Sequence, residues 1–524
     1  MPAAPKQARA GMRVDRAAEE KALRAEMAQV PSWSRDDLEF FLHGSMSTEV
    51  VPEKVLRAFI KIYPDLFPSA DLSHFGLLPD PAFGWPVGFS RANVPHLGDL
   101  SAIGVNCAAC HVGDVSPHGG GSPIRVLGMT SMFNSEAYFG AVAISTFRTE
   151  DPENMKKFLA AYLLLSRPAA EESAQKWFDE QWPQQEQAVK VSIAADPSGG
   201  GSVEPGELVA LKAAEIDFGE ALEGRDLPAR AYAMLRLFHN MRASLHIPDI
   251  PPEKPPPQSG PGRNDAFGLL SLVLFNDPQP YAPVKYGLVW NVGQRTWVHW
   301  DGNTRSPLAR NLLASLGLGA PLSGKQGHLE FASIKRQTDL SETIRAPRYP
   351  FPIDYSAARR GEYTFQTQCR TCHGFEEGDG RLYPAGLIGT EPTRADHFTY
   401  HQADNFNKFL SELEIPGYKP SAQPGIRSTQ RYWASTLTGV WARSPYLHNG
   451  SVRTMKELLT APADRTKTFH RGSGDYDAND MGYTDGGPYV LDTSSPGSAN
   501  AGHSYGASLP ERDKKDLIEY LKTL

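Results

Sequence analysis

Cysteine occurs four times in this 524-residue chain, and all four fall into two copies of one frame, Cys107-Ala-Ala-Cys110-His111 and Cys369-Arg-Thr-Cys372-His373. No thiol is left over for a disulfide, and each frame ties two cysteines and a histidine together. Cysteines three apart lie on neighbouring turns of one short helix, and the next residue turns its imidazole to the same side. C-x-x-C-H is the attachment pattern of c-type haem. The thiols take up two vinyl groups as thioethers, the imidazole becomes the proximal iron ligand, and the protein decides what occupies the opposite face. Two other readings fall away. A zinc site assembled from both cysteine pairs gives no reason for a histidine at the same place in each. A thioredoxin-like pair needs a βαβ context that neither flank supplies. The frames therefore predict two covalently bound c-type haems.

Bulk composition excludes other classes. With 40% hydrophobic and 22% charged residues the chain is ordinary globular protein. A net charge of -7 argues against a nucleic-acid partner, which needs a basic face. Nothing approaches the roughly 20 consecutive apolar residues of a membrane span; the best run, 158–165, is short and interrupted. Residues 1–11 are polar, rich in Ala and Pro, and lack the apolar core of an export signal. Covalent haem attachment follows export in bacteria, so the expectation is a periplasmic or secreted protein whose signal was removed before residue 1.

Along the chain, residues 15–29, 34–42 and 52–63 read as helices, and 64–99 as a loop-rich approach to the first frame. Residues 151–185 look helical, with an apolar stripe through Met155, Phe158, Leu159, Tyr162 and Leu163. A Gly/Ser break at 198–201 precedes another helical pattern over 207–222, and 247–261 is a proline-dense connector. A Trp-, Asn- and Gly-rich segment over 290–320 contains a helix at 307–316, and 322–350 reads as linker. From Tyr355 the pattern is a small helical cytochrome domain closing with a helix over 510–524. The expected architecture is mainly α, with little β: two cytochrome c-like haem domains with long loop-rich insertions. Residues 1–95 form an N-terminal extension, 96–335 the first haem domain and 350–524 the second.

The second haem has a candidate axial partner in His448, which follows a Pro turn 75 residues beyond His373; Met481 and Met455 are the rivals. No comparable return loop serves the first haem. His118 lies too near His111 and reads as a solvated turn residue, whereas His299, between Trp297 and Trp300, is the better-placed histidine. An iron beside His111 with no protein ligand on its far face would be open to dioxygen or peroxide.

Four segments together resemble the di-haem rubber oxygenase-like cytochromes, relatives of the bacterial di-haem cytochrome c peroxidase and MauG group. They are Gly104-Val-Asn-Cys-Ala-Ala-Cys-His-Val-Gly113, Gly262-Arg-Asn-Asp-Ala-Phe-Gly268, Trp297-Val-His-Trp-Asp-Gly-Asn303 and Trp441-Ala-Arg-Ser-Pro-Tyr-Leu-His-Asn-Gly-Ser451. The resemblance implies an enzyme that binds O2 at the N-terminal haem and adds both oxygen atoms across a C=C bond of an apolar small-molecule or polymer substrate, with a redox partner protein as a further candidate. It further implies His111 as proximal ligand of the reactive iron and His373 with His448 as the axial pair of the other. Trp290 would be the distal tryptophan, with Trp297 and Trp300 as alternatives.

An apolar Trp/Phe wall would keep water from bound oxygen, and Arg263, Arg305 and Arg310, with Asn311, are candidates for the haem propionates because arginine forks match carboxylates. Three classes remain open. A dioxygenase needs an apolar distal wall. A di-haem peroxidase needs a distal acid-base group, for which Glu136 and His299 are candidates. An electron carrier needs both irons six-coordinate.

Overall fold

The computed structural model describes residues 16–94, 100–165, 171–195, 227–248, 258–321, 329–374, 381–415, 417–420 and 423–524. The export-signal question at 1–11, the break at 198–201, the helical pattern at 207–222 and most of the proline-dense connector lie outside these residues.

Apolar periodicity places the N-terminal helices where the pattern puts them, over Arg16–Gln29, Arg35–His43 and Glu53–Ile62. The second opens on a Ser34/Asp37 capping box that satisfies two backbone donors. Pro152–Leu165 follows, and its stripe Met155, Phe158, Leu159, Tyr162 and Leu163 is buried throughout. Phe158 meets Phe59 at 5.4 Å and Phe238 at 5.3 Å between ring centroids, which locks this helix to Glu53–Ile62 and to the helix Leu227–Ser244. These helices, with Ser135–Thr149 and Glu171–Ala194, enclose one hydrophobic core.

The first frame is a single helical turn, Cys107–His111, between two strands. Asn106 stops the preceding strand because its side chain caps the turn, accepting from the Ala108 N–H while its amide donates to Phe41 and Gly44 carbonyls. That strand, Leu100–Val105, is the middle of a three-stranded sheet with Val51–Pro52 and Phe89–Val94. The strand after the frame, Val112–Pro117, pairs antiparallel with Ile124–Leu127 on one side and parallel with Asp475–Asp477 on the other. One four-stranded sheet thus joins the first frame to the C-terminal region. A second hydrophobic core does the same, gathering residues from Val30 to Leu521.

The stretch expected to be linker contains the helix Phe331–Thr343. Its inward face, Ile334, Gln337, Thr338 and Ser341, is mostly polar, so it carries no amphipathic signature. Those groups find acceptors within the fold: the Gln337 amide nitrogen donates to the Phe40 carbonyl at 2.7 Å, and the Thr338 and Ser341 hydroxyls bond back one turn.

In the C-terminal part, Tyr355–Gln368 runs directly into the second frame, whose own turn is Arg370–His373. It packs on the closing helix Glu511–Leu521 so tightly that a Cβ on Gly361 would lie 1.9 Å from the Asp516 carbonyl oxygen. Arg360 forks onto the Asp516 carboxylate at 2.6 and 2.7 Å beside that contact. No helix among the described residues is long and apolar enough to cross a membrane.

Candidate haem sites

Both frame histidines are prepared in the same way. His111 Nδ1 donates to the Gly287 carbonyl at 2.9 Å, and His373 Nδ1 donates to the Ser435 carbonyl at 2.9 Å. A carbonyl can only accept, so each ring carries its proton on Nδ1 and keeps the Nε2 lone pair for a metal. Burial, with the Arg310 guanidinium next, pushes His111 down to about 3, and burial lowers His373 as well. Both are therefore neutral, as an iron ligand must be. Burial likewise pushes the Cys110 thiol up to about 12 and Cys369 to about 11. No three His, Cys, Asp or Glu side chains gather as a metal cluster among the described residues, so the two cysteine pairs do not assemble into the competing zinc site.

His111 opens onto a cavity of about 260 Å³ that the two frame cysteines also line. Arg310 Nη2 donates to His111 Nε2 at 3.0 Å from the same space. Five cationic side chains line it, Lys285, Arg295, Arg310, Arg394 and Arg443, and no carboxylate does among the described residues. The remainder of the wall is largely apolar, with Phe267, Leu270, Leu313 and Val292. An apolar slot with cations and no acids fits a flat macrocycle carrying two propionates.

The tryptophan expectations divide. Trp300 lines the cavity and donates from Nε1 to the Lys285 carbonyl at 3.0 Å. Trp290, the first choice as distal residue, instead lies in the second core, donating to the Leu127 carbonyl at 2.7 Å and tilted against Trp441. Backbone packs closely on its ring at Gly128 and Gly439, which makes it a structural residue. Trp297 is off the cavity too, covered by the Arg427 guanidinium at 3.7 Å. The second tryptophan of the wall is Trp433, which the sequence reading missed. Its backbone N–H donates to the Trp300 carbonyl at 2.8 Å, and Arg295 lies 4.1 Å over its ring. No spacing rule links 300 to 433; only the β pairing of Arg381–Pro384 with Arg431–Ala434 delivers it.

His299 lines the same cavity, its Nδ1 held by Asn303 at 2.8 Å and Thr304 at 3.2 Å. Burial and then Arg310 push it down to about 3. Glu136 is not on the wall. It is half-buried against Ser259 and Tyr281, and desolvation raises its carboxyl. His118 is exposed and paired with Asp475 at 2.8 Å, as a solvated turn residue should be.

Two of the arginine expectations are corrected. Arg263 spends its donors on the Ser259 and Asn449 carbonyls and the Ser498 hydroxyl, so it clamps loops together. Arg305 is exposed and bonds Gln423. Arg310 and Asn311 both line the cavity; Asn311 accepts from Arg310 at 2.8 Å and donates from its amide nitrogen to the Thr338 hydroxyl at 2.8 Å.

The second frame brings a larger revision. His448 is buried, but its Nε2 faces the Tyr432 hydroxyl at 3.2 Å and the Glu391 carboxylate at 3.6 Å, with the Tyr432 ring stacked at 4.2 Å. Met455 and Met481 are packed in the second core. The imidazole beside His373 is His503, at 6.3 Å between ring centroids. Two metal–nitrogen bonds of about 2 Å plus half of each ring give about that separation for imidazoles sharing one iron. Burial, with His373 next, brings His503 down to about 4. Its loop is held by Arg465, whose guanidinium donates to the Asn500 and Gly502 carbonyls at 2.7 Å, to Leu458 and His503 at 3.0 Å, and to Thr460 at 3.3 Å. Gly502, at φ +76, passes so close to Gly389 and Thr390 that a Cβ there would lie 2.3 Å from both backbones. A histidine 130 residues beyond its frame, after no recognisable motif, gives no sequence signal.

A family model described as RoxA-like, cytochrome c-like matches residues 431–470, the stretch that carries Trp433, Ser435, Arg443, His448 and Arg465. The chain is 26% identical to the uncharacterized protein y4iJ of Sinorhizobium fredii over 94% of this chain and 92% of that protein. It is 28% identical to the uncharacterized protein y4iM of the same organism over 52% of this chain and 73% of that one. The family match supports the rubber oxygenase-like cytochromes, and a cytochrome c-like domain implies covalently bound c-type haem and a haem oxidoreductase.

Proposed function

We propose that the chain is a di-haem c-type oxidoreductase built from two cytochrome c-like haem units, with its reactive centre in the cavity beside His111. The observation that carries this reading is that cavity, where a neutral, oriented imidazole meets an apolar, acid-free wall. A c-type haem held there by Cys107, Cys110 and His111 would supply a redox-active iron for oxygen chemistry. The chain's own part is positioning and exclusion. The Gly287 carbonyl fixes the His111 tautomer and strengthens it as a donor. Trp300, Trp433, Phe267 and Leu270 keep water out and admit an apolar alkene. His373 and His503 would hold a second haem, which would supply a centre for storing and passing electrons. These features favour a dioxygenase that cleaves the C=C bond of an olefinic, isoprenoid-like substrate. Attachment of haem after export supports a periplasmic or secreted location.

One observation favours a peroxidase instead: His299 lines the same cavity with only Nδ1 engaged and so has a ring nitrogen for moving protons. Titrating the reduced protein with carbon monoxide tests the shared premise. One CO per chain is expected, and none would reduce the molecule to an electron carrier. Oxygen-dependent cleavage of an olefin then identifies the dioxygenase, and peroxide-dependent oxidation of a reduced cytochrome identifies the peroxidase.

A further inference from the structure

Lys285 and Arg443 are buried side by side, and no carboxylate partners either of them among the described residues. Lys285 Nζ donates to the Arg443 and Pro445 carbonyls, the latter at 2.6 Å. Arg443 gives one guanidinium nitrogen to the Ser435 hydroxyl and another to the Thr436 carbonyl at 2.7 Å. Its Nε is buried without a hydrogen-bond partner among the described residues. Burying two like charges together is costly unless an anion arrives to meet them. Burial, then Arg443 and Arg471, hold Lys285 well below the ordinary ammonium range, in keeping with that cost.

Both side chains line the cavity beside His111, where the other cations are engaged differently. Arg394 pairs with Asp301 at 3.0 Å, Arg310 reaches His111, and Arg295 covers Trp433. The same two residues also lie next to the supports of both frame histidines. Lys285 is two residues from Gly287, whose carbonyl holds His111. Ser435, which accepts from Arg443, offers the carbonyl that holds His373. Lys285 N–H donates to the His448 carbonyl at 2.9 Å, tying the strand to the Pro-Tyr-Leu-His loop.

We infer that Lys285 and Arg443 form one buried cationic bridge serving both haem sites, which binds a haem propionate from the His111 cavity and, through Ser435, fixes the carbonyl that orients His373. This rests on the two-haem reading proposed above. A cation close to an iron disfavours its ferric form, so the bridge raises both midpoint potentials together, and removing its charge lowers both.

The test is a redox titration of the haem-loaded full chain, with each haem followed by its own visible bands, in the parent, Arg443→Met and Arg443→Lys proteins. A haem count on the parent comes first, and fewer than two haems per chain defeats the two-haem reading rather than the bridge. With two present, both midpoints are expected to fall in Arg443→Met. Arg443→Lys keeps the charge but loses the fork onto Ser435 and Thr436, so the His111 haem should hold its midpoint while the His373 haem shifts. If the Met protein does not accumulate in loaded form, the Lys protein alone decides. Unchanged midpoints at both haems, or a shift confined to one haem in Arg443→Met or to the His111 haem in Arg443→Lys, overturn the bridge.

Discussion

The same five-residue pattern sits in two opposite environments. His111 is 3% exposed, and Cys107, Ala108 and Ala109 are buried with it between two strands. In the second frame Arg370 and Thr371 face solvent, and Cys369, Cys372 and His373 are half-buried at the end of a helix with exposed Tyr355 and Tyr363. The attachment chemistry is common to both, so the contrast comes from the flanks. Strands wrap the first frame and shut water out, which suits ligand chemistry. A surface helix presents the second at the edge of the protein.

This contrast can be broken or sharpened by experiment. The largest effect is expected at His503. His503→Ala should open the second haem and raise carbon monoxide uptake from one to two per chain, while His448→Ala leaves it at one. The opposite result would return the axial role to His448. Arg465→Ala comes next. It orphans five carbonyls around the His503 loop, for a loss of about 3 kcal/mol in denaturant unfolding. A high-spin signature should appear at the His373 haem alone, which a general loss of stability would not produce. Gly361→Ala forces apart the two helices that support the second frame and should cost about 2 kcal/mol by thermal melting, with the His111 haem spectrum unchanged. The smallest effect is electrostatic and lies on the helix Arg35–His43, which packs beside the first frame. Hydrogen bonds from Arg336 and Ser34 hold Asp37 at about 2, below its ordinary 3.8. A depressed carboxylate stabilises the fold above its unfolded value and loses that contribution as pH falls toward 2. Asp37→Asn should lower stability modestly at neutral pH, because the pair is partly exposed, and flatten the acid limb between pH 4 and 2, where the two proteins converge.

What could be read from the chain beforehand follows the range of the interaction. Cys107, Cys110, His111 and their counterparts are local, so both frames were legible. So was the stripe from Met155 to Leu163, because a single apolar face repeats. The helix Phe331–Thr343 was not, since Gln337, Thr338 and Ser341 are buried and donate hydrogen bonds that no hydropathy pattern reveals. Trp290 and Trp300 look alike in sequence, and only packing sends one to the core and the other to the cavity. His448 lies in a conspicuous loop and His503 in a plain one, yet ring placement beside His373 favours the latter. Arg263 and Arg443 differ only in what surrounds them, loop carbonyls in one case and the cavity in the other.

The parallel pairing of Ser116 with Asp475 has a consequence for how the molecule is made. The strand leaving His111 pairs at once with Ile124–Leu127 but gains its other neighbour only after some 350 further residues have been synthesised. A fragment ending before that point carries a bare hydrogen-bonding margin next to its haem attachment turn and is prone to associate through it. The regions carrying the two C-x-x-C-H frames share this sheet and a core, and the protein should be produced as an uncut polypeptide.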